Sequence, residues 1–235
     1  MQDYWKLGFS EFLSNPPANL SAKNSPLMMP FGANQMIRDL GMPNSCTEDP
    51  NKRDEFLTEL ETKYDFVMIM EYMDESLILL RHLLGLDLLD ILSLPANQLR
   101  ENAPDPIGNL SDHQIANLKL VNAADHALYE RFSKLFMKRL LDFGTERMAT
   151  ELDAYQCLNK AVYDSCRVAS YPASELPMMY RPYGDSVGFF PAVESTMSRD
   201  LLWLCPRIAF SEVPYIDQLR TKQRYVASNS DRNAC

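Results

Sequence analysis

Residues 66 to 91 read Phe-Val-Met-Ile-Met-Glu-Tyr-Met-Asp-Glu-Ser-Leu-Ile-Leu-Leu-Arg-His-Leu-Leu-Gly-Leu-Asp-Leu-Leu-Asp-Ile, an apolar run followed by carboxylates and a helical pattern. Phe66 to Met70 is apolar without alternation, which predicts a strand covered on both faces, as strands of parallel sheets are. A helix should follow, with Asp74 as its N-cap and Gly85 as its left-handed C-cap. The segment therefore predicts an α/β fold in which a buried strand leads directly into a helix.

Four polar residues, Glu71, Tyr72, Asp74 and Glu75, occupy the predicted turn between this strand and this helix. Ligands of open α/β sheets bind at the carboxyl ends of strands, which favours a functional reading of the turn. Asp74 and Glu75 would also complement the positive end of the helix dipole without any further role. The residues alone leave both interpretations open.

Prolines, glycines and apolar periodicity divide the rest of the chain into predicted elements. In chain order these are a connecting loop over 14–54, a short amphipathic helix over 54–63, a second short strand over 88–94, an irregular crossover over 98–108, helices from Ser111, over 124–141 and over 145–155, a mobile loop over 170–191, and a helix over 212–223. The pattern predicts a helix-rich carboxyl-terminal half.

Composition excludes several classes of protein. With 235 residues and 46% hydrophobic residues, the chain is long enough to bury a substantial core. The net charge of −9 and the dispersed basic residues argue against a nucleic-acid binder, which needs clustered Lys and Arg. The five cysteines lack the spacing of a zinc site, so no metal is expected. No segment approaches the roughly 20 apolar residues of a membrane-spanning helix.

The segment Glu71 to Arg81, with Asp87 and Asp90-Ile91-Leu92 after it, closely resembles a segment shared by galactose 3-O-sulfotransferases, the family that includes galactosylceramide sulfotransferase. Three more matches follow in the expected order and extend the resemblance over nearly the whole chain: Asn34 to Gly41, Leu128 to Met148, and Cys205 to Gln223. The chain departs from the family pattern at Gly85-Leu86, where Cys-Trp is usual, at Arg38, where an apolar residue is usual, and at Phe136, where Trp is usual.

The resemblance implies a partial P-loop-like sulfotransferase fold, with a parallel sheet flanked by helices over residues 1–225 and a polar tail over 226–235. No Gly-rich or Lys-Thr phosphate loop occurs in the sequence, so the donor-binding region and the membrane anchor of the family are expected upstream of Met1. The resemblance also implies the lumenal side of the Golgi membrane. The sequons at Asn19 and Asn109 permit this location, as do disulfides among Cys157, Cys166 and Cys205.

The function implied by the resemblance is transfer of sulfate from 3′-phosphoadenosine 5′-phosphosulfate to the 3-hydroxyl of galactose on a glycolipid such as galactosylceramide, or on a glycan. A base must remove the hydroxyl proton, and Glu71 and Glu75 are the first candidates because the predicted turn places them at the ligand edge. Tyr72 could stack on the sugar, and Asp74 is a substrate-binding candidate that competes with its role as a cap. His82, His113 and His126 are assigned structural roles, because spacing assigns none of them a partner carboxylate.

Two alternatives to an active transferase remain open at this stage. The chain could be an inactive truncated sulfotransferase that retains acceptor-side structure and lacks the donor site. It could also be a small acidic protein-interaction module whose contact face is the helical surface over 128–155, a reading that explains the composition but not the order of the matching segments.

Overall fold

The computed structural model describes residues 9–14, 33–94, 110–182 and 187–230, and it divides the chain into two units. The first unit comprises residues 1–80 and 104–145, and the second comprises residues 81–103 and 146–235. Much of the predicted loop over 14–54, the crossover over 98–108 and both sequons lie outside the described residues.

The first unit is helical in the part that the structure describes. Its helices are α1 (Phe9–Ser14), α2 (Gln35–Asp39), α3 (Pro50–Lys63), α4 (Met73–Leu84), α5 (Asp112–Val121) and α6 (Ala123–Phe143), and α4 enters the second unit at Arg81. Short 3₁₀ turns lie at Asn44–Cys46 and Met70–Tyr72. Asp49 caps α3 by accepting the N–H of Asn51 at 2.9 Å, and Ser111 caps α5.

The core of the first unit lies where α2 and α3 pack on α6. Its buried side chains are Ile37, Met42, Leu57, Leu60, Ala124, Leu128 and Phe132. On α6 the buried face repeats every fourth residue and continues to Phe136, which is 2% exposed, whereas Leu135 is 36% exposed. The helical periodicity of residues 124–141 predicts core contacts for Leu128, Phe132, Leu135 and Leu140. Leu128 and Phe132 are buried and Leu140 is half-buried, whereas Leu135 is exposed because its neighbour Phe136 occupies the inward position.

Asn34 and Asp125 join α2 to α6 by reciprocal capping. The Asn34 side-chain oxygen accepts the N–H groups of Ala124 at 2.8 Å and Asp125 at 3.2 Å, at the start of α6. The Asp125 carboxylate in turn accepts the N–H groups of Met36 at 3.1 Å and Ile37 at 2.8 Å in α2. Each side chain thus satisfies helix N–H groups that have no partner within their own helix. This arrangement gives Asn34, the first residue of one matching segment, a structural role.

Within its described residues, the second unit contains three further helices and two strands. These are α7 (Thr145–Ser165), β1 (Val168–Pro172), β2 (Val187–Pro191), α8 (Arg199–Ala209) and α9 (Glu212–Ser230), with 3₁₀ turns at Leu88–Ile91, Ala173–Glu175 and Met178–Tyr180. The strands pair antiparallel, with Val168 opposite Pro191. β2 requires Gly188, because a Cβ there would lie 2.7 Å from the backbone oxygen of Tyr180. Burial raises the pKa of the Tyr180 hydroxyl, whose ring packs against Phe190.

A disulfide between Cys166 and Cys205 holds the end of α7 to α8. Both cysteines are fully buried, and Val162 and Val168 complete the cluster around them. The pair comes from the three cysteines that the resemblance implied. The third, Cys157, is exposed on α7 and carries a free thiol.

The structure corrects the predicted strands. The fold is mixed α/β and rich in helix, but the sheet in the described residues has two antiparallel strands, and the predicted parallel sheet is not seen there. The predicted strand over 88–94 is wrong, because Asp87 and Asp90 form a capping box that starts a 3₁₀ helix. The predicted loop over 170–191 holds part of β1 and the whole of β2.

The helix boundaries agree more closely with the predictions. Gly85, the predicted C-cap, follows the last residue of α4 with a φ angle of 65°, and Gly144 follows the last residue of α6 with a φ angle of 98°, a value that only glycine adopts without strain. Pro214 lies in the first turn of α9, which continues to Ser230 and so includes part of the predicted tail. Among the helices that the structure describes, none combines the length and apolar character needed to cross a bilayer.

Candidate functional site

The four predicted site residues lie in one turn, Met70 to Glu75, which we call the acidic turn. The chain is extended at Ile69, enters a 3₁₀ turn at Met70 and continues into α4 at Met73. The hydroxyl of Ser76, which is fully buried, accepts the Ile69 N–H at 3.1 Å and donates to the Ile69 carbonyl oxygen at 3.3 Å. Ser76 therefore fixes the change of direction between the extended segment and the helix.

The carboxylates of the acidic turn differ in their surroundings. Glu71 is exposed and Glu75 is half-buried, and neither side chain makes a hydrogen bond or an ion pair with the residues that the structure describes. Asp74 is the second residue of α4, so the prediction that it caps the helix is wrong, because the preceding 3₁₀ turn already leads into the helix at Met73. Its charge lies in the first turn, where it complements the helix dipole. Glu71 and Glu75 are thus available to an external ligand.

The ring of Tyr72 packs on the buried ring of Phe136. Its centroid lies 5.7 Å from that of Phe136, and the residue keeps 36% of its surface exposed. Phe136 also contacts Phe66 at 6.3 Å, and the guanidinium of Arg139 lies 5.5 Å from the centre of the Phe66 ring. The sequence did not single out Phe136 as a support, because the contact joins residues 64 positions apart. Tyr72 therefore presents a partly open aromatic ring beside two carboxylates without partners.

A second group of charged side chains, which we call the Glu151 cluster, lies in the second unit and comprises Arg81, His82, Arg147 and Glu151. The Glu151 carboxylate contacts Arg81 Nη1 at 2.5 Å, His82 Nε2 at 2.7 Å and Arg147 Nε at 3.6 Å. The other ring nitrogen of His82, Nδ1, lies 3.3 Å from Arg147 Nη2. Spacing assigned His82 no partner carboxylate because its partner lies 69 residues away on α7.

The Glu151 cluster is arranged as a structural tie. Glu151 is engaged by three basic side chains, and both nitrogens of His82 already have a neighbour within hydrogen-bond distance. Arg81 is fixed further by donating from Nε to the Leu86 carbonyl oxygen at 3.2 Å. A general base needs a free lone pair directed at its substrate, and here the carboxylate oxygens are occupied. The cluster therefore stabilises the end of α4 against α7.

The remaining histidines and a groove in the second unit involve other residues. His113 contacts Asn117 at 3.2 Å, and His126 lies 3.6 Å from Glu130. A groove of about 640 Å³ in the second unit has no predicted site residue in its lining, which comprises Met178, Met179, Val213, Pro214, Asp217, Gln218, Thr221 and Lys222. Within the described ranges, no group of three or more His, Cys, Asp or Glu side chains is arranged to hold a metal ion.

Comparisons with known proteins cover nearly the whole chain. The sequence model of the galactose-3-O-sulfotransferase family matches residues 4–223. The chain is similar to human galactosylceramide sulfotransferase, with 27% identity over 92% of this chain and 52% of the relative. It is also similar to pig galactose-3-O-sulfotransferase 2, with 28% identity over 90% of this chain and 54% of the relative. No solved structure matches the chain significantly. The chain therefore spans about half the length of the curated relatives it matches.

Proposed function

The chain belongs to the galactose-3-O-sulfotransferase family of enzymes, and from this membership we propose that it forms the acceptor-side part of an enzyme that transfers sulfate from 3′-phosphoadenosine 5′-phosphosulfate to the 3-hydroxyl of galactose. The acceptor is a galactose-terminated glycolipid, such as galactosylceramide, or a glycan. The observation that carries the proposal is the family match over residues 4–223. The acidic turn lies inside this match and contains Glu71 and Glu75, whose carboxylates have no hydrogen-bond or ion-pair partner among the described residues.

The proposed chemistry at the acidic turn is proton removal. As the galactose 3-oxygen attacks sulfur, its proton must pass to a base, and Glu71 or Glu75 accepts it. Glu75 is the first candidate because it is half-buried at the start of α4, and a base must be held within hydrogen-bond reach of the proton that it accepts. Glu71, which is exposed, is the second candidate.

The proposed sugar contacts come from Tyr72 and Asp74, which lie between Glu71 and Glu75 in the sequence. Tyr72 offers a ring whose position is fixed by Phe136, so that a sugar can pack on its exposed surface without reordering the side chain. Asp74, in the first turn of α4, is placed to accept hydrogen bonds from sugar hydroxyls. Neutral sugars need hydrogen-bond acceptors rather than cations, which agrees with the acidic character of the turn.

The donor does not fit the same residues. It is an anionic phosphosulfate, and the acidic turn carries three carboxylates, Glu71, Asp74 and Glu75, whose charge opposes an anion. The two arginines nearest to the acidic turn in sequence are Arg53 and Arg81. Arg53 lies on α3, and Arg81, near the end of α4, is paired with Glu151. We therefore assign the acceptor side alone to the acidic turn and derive no donor contact from it.

The disulfide supports the proposed location. Cys166 and Cys205 are bonded, and disulfides persist in oxidising compartments rather than in the cytosol. This agrees with the location that we propose for the protein, the lumenal side of the Golgi membrane. Membrane attachment is assigned to no residue of this chain.

The test uses a chimera in which residues 4–223 replace the matching region of human galactosylceramide sulfotransferase. We expect the chimera to transfer labelled sulfate to galactosylceramide or to a galactose-terminated glycan, and the isolated chain to transfer little or none. In the chimera, Glu75→Gln or Glu71→Gln should lower kcat by roughly 10² to 10⁴, the usual contribution of a general base. Comparing the two acceptors assigns the substrate class.

The control is Glu55→Gln, an exposed carboxylate on α3 in the same unit. It should leave turnover unchanged. Normal turnover in both Glu71→Gln and Glu75→Gln would remove these residues as bases. A folded chimera that transfers sulfate to neither acceptor would contradict the proposed reaction, and robust turnover by the isolated chain would show that donor-binding residues lie within it.

A further inference from the structure

Trp203 is a large aromatic side chain on the outer face of α8 in the second unit. The inner face of this helix is anchored, because Cys205 is bonded to Cys166 and Ala209 is buried. Trp203 keeps 59% of its surface exposed. An exposed apolar side chain is common by itself. What distinguishes Trp203 is that the helix beneath it is tied to the core and that its ring is held in one position.

The side chain that holds the Trp203 ring is Arg207. Its guanidinium lies over the ring, 4.1 Å from the ring centroid, which is a cation–π contact. Arg207 is fixed in turn, because its Nη1 donates a hydrogen bond to the Trp203 carbonyl oxygen at 2.5 Å. Since the guanidinium occupies one face of the ring, the opposite face is the one open to a ligand. A ligand that packs there does not have to order the side chain, which lowers the free-energy cost of binding.

Polar side chains surround the open ring. Residues three or four positions apart are neighbours on a helix surface, which places Arg199 and Asp200 one turn before Trp203 and Arg207 one turn after it. Arg199 and Asp200 are both exposed. A guanidinium supplies hydrogen-bond donors and a carboxylate supplies acceptors. The surface therefore combines one flat apolar face with donors and acceptors around its edge.

A sugar ring has the matching distribution of groups. Its hydroxyl groups lie mainly around the ring, and the axial hydroxyl of galactose leaves one face with C–H groups alone. These C–H groups carry partial positive charge, which the negative face of an indole ring attracts. A membrane-binding helix would instead continue its apolar face along the neighbouring turns, where α8 has Arg199, Asp200 and Arg207. The chemistry around Trp203 thus favours a sugar over a lipid surface.

We propose that Trp203 is a platform on which a galactose ring stacks, with Arg207 as the residue that positions the indole and with Arg199 and Asp200 binding sugar hydroxyls at its edge. The choice of galactose as the sugar rests on the proposed function. The platform belongs to the second unit and shares no residue with the acidic turn.

The first test uses the isolated chain with Trp5→Phe, because the chain has two tryptophans and this change leaves Trp203 as the source of indole fluorescence. Titration with methyl β-galactopyranoside should shift the Trp203 emission to shorter wavelength and saturate at millimolar sugar, since a stacked ring excludes water from the indole. The absence of a saturable shift would overturn the proposal. A shift with phosphatidylcholine vesicles and none with the sugar would assign the ring to a lipid surface and would also overturn it.

The second test measures binding of the same sugar to variants by saturation-transfer NMR. Trp203→Ala should lower the affinity by about tenfold or more, the usual loss when one stacking aromatic side chain is removed, and Trp203→Phe should restore part of it. Arg207→Lys keeps the charge but loses the planar group that fixes the indole, so the affinity should fall by about two- to tenfold, the cost of ordering one side chain.

The matched control is Leu202→Ala, which removes an exposed apolar side chain beside Trp203 on the same helix. This variant should bind the sugar as the wild type does. Unchanged affinity in Trp203→Ala would overturn the proposal, and so would equal losses in Trp203→Ala and Leu202→Ala. Cooperative thermal unfolding of each variant verifies that the chain is folded.

The outcomes separate this inference from the proposed function, because binding is measured without a sulfate donor. The Trp203 shift should persist in Tyr72→Ala, which removes the sugar contact proposed at the acidic turn, and its loss there would overturn the platform. An inactive chimera together with the Trp203 shift in the isolated chain contradicts the reaction and retains the platform. An active chimera without that shift in the isolated chain retains the reaction and overturns the platform.

Discussion

The acidic turn and the Glu151 cluster both contain carboxylates, but these carboxylates differ in whether other side chains bind them. Glu151 contacts three basic side chains, and its side chain is only 18% exposed. Glu71 and Glu75 have no hydrogen-bond or ion-pair partner among the described residues. A carboxylate that is engaged on both oxygens holds a structure together, whereas one without partners remains free to accept a proton or a hydroxyl group from a ligand.

This difference gives a criterion for separating structural from functional carboxylates, namely whether other side chains already bind the carboxylate. Sequence position alone made Glu71 and Glu75 candidates and gave no sign that Glu151 mattered, because the partners of Glu151 lie 69 and 70 residues away. In the structure, Glu151 is engaged by basic side chains, whereas Glu71 and Glu75 have no ion-pair partner among the described residues. Variants at the two sites should therefore differ in what they change.

The largest effect on stability is expected for Glu151→Ala. The variant leaves Arg81 and His82 without their carboxylate, and hydrogen bonds to charged groups contribute enough that the free energy of unfolding should fall by roughly 2–3 kcal/mol. Urea unfolding of the isolated chain measures it. The control on the same helix is Asp164→Ala, whose ion pair with Lys160 is well exposed and is therefore expected to contribute much less to stability. Equal losses in the two variants would contradict the distinction.

A smaller loss is expected for Ser76→Ala. Removing the hydroxyl leaves the buried Ile69 N–H without an acceptor, which should lower the free energy of unfolding by about 1.5 kcal/mol. Urea unfolding again measures the change, and the Ile69 amide should exchange faster in the variant. Thr150→Ala, which removes an exposed hydroxyl bonded to the Glu146 carbonyl oxygen, is the matched control. A wild-type exchange rate at Ile69 would show that Ser76 does not fix the turn.

A loss of about 1 kcal/mol is expected for His82→Ala, because Arg81 keeps its 2.5 Å contact with Glu151 when the histidine is removed. A double-mutant cycle with Glu151→Ala measures the coupling of the two side chains. The coupling should be about 1 kcal/mol if the pair acts as a tie. No coupling would mean that the 2.7 Å contact does not stabilise the chain, and the structural role of His82 would be lost.

The smallest effect is expected for Glu71→Gln and Glu75→Gln in the isolated chain. Neither side chain has a hydrogen-bond or ion-pair partner among the residues that the structure describes, so the free energy of unfolding should change by less than about 0.5 kcal/mol. Thermal unfolding checks this, with Glu61→Gln as the contrasting variant because Glu61 is bonded to Arg131. A loss well above this limit in Glu75→Gln would show that its carboxylate serves the fold, and the comparison between the two sites would fail.

Prediction from sequence succeeded where the determining interactions are local. Gly85 and Gly144 marked helix ends because only glycine adopts positive φ angles without strain. Leu128 and Phe132 marked the buried face of α6 because helix periodicity places every fourth residue on one side. It failed for residues 88–94, where an apolar run suggested a strand and the Asp87 capping box formed a 3₁₀ helix. Apolar character says that a segment is buried, and it does not say in which conformation.

The candidate site was predicted only in part. The adjacency of Glu71, Tyr72, Asp74 and Glu75 follows from their positions, and the structure keeps them in one turn. Their surroundings could not be predicted, because Phe136 supports Tyr72 from another helix and Ser76 acts on a backbone group seven residues earlier. Whether a given carboxylate is occupied depends on such contacts.

The amino-acid sequence by itself determined the membership in the sulfotransferase family, the positions of the helix ends and the grouping of the acidic residues, since each depends on the identity and local order of residues. Tertiary structure alone decided that Cys166 bonds Cys205, that Glu151 holds Arg81 and His82, and that the predicted strand at Phe66 to Met70 joins no sheet among the described residues. These features depend on which distant groups meet in space, and the spacing of residues along a chain does not specify those meetings.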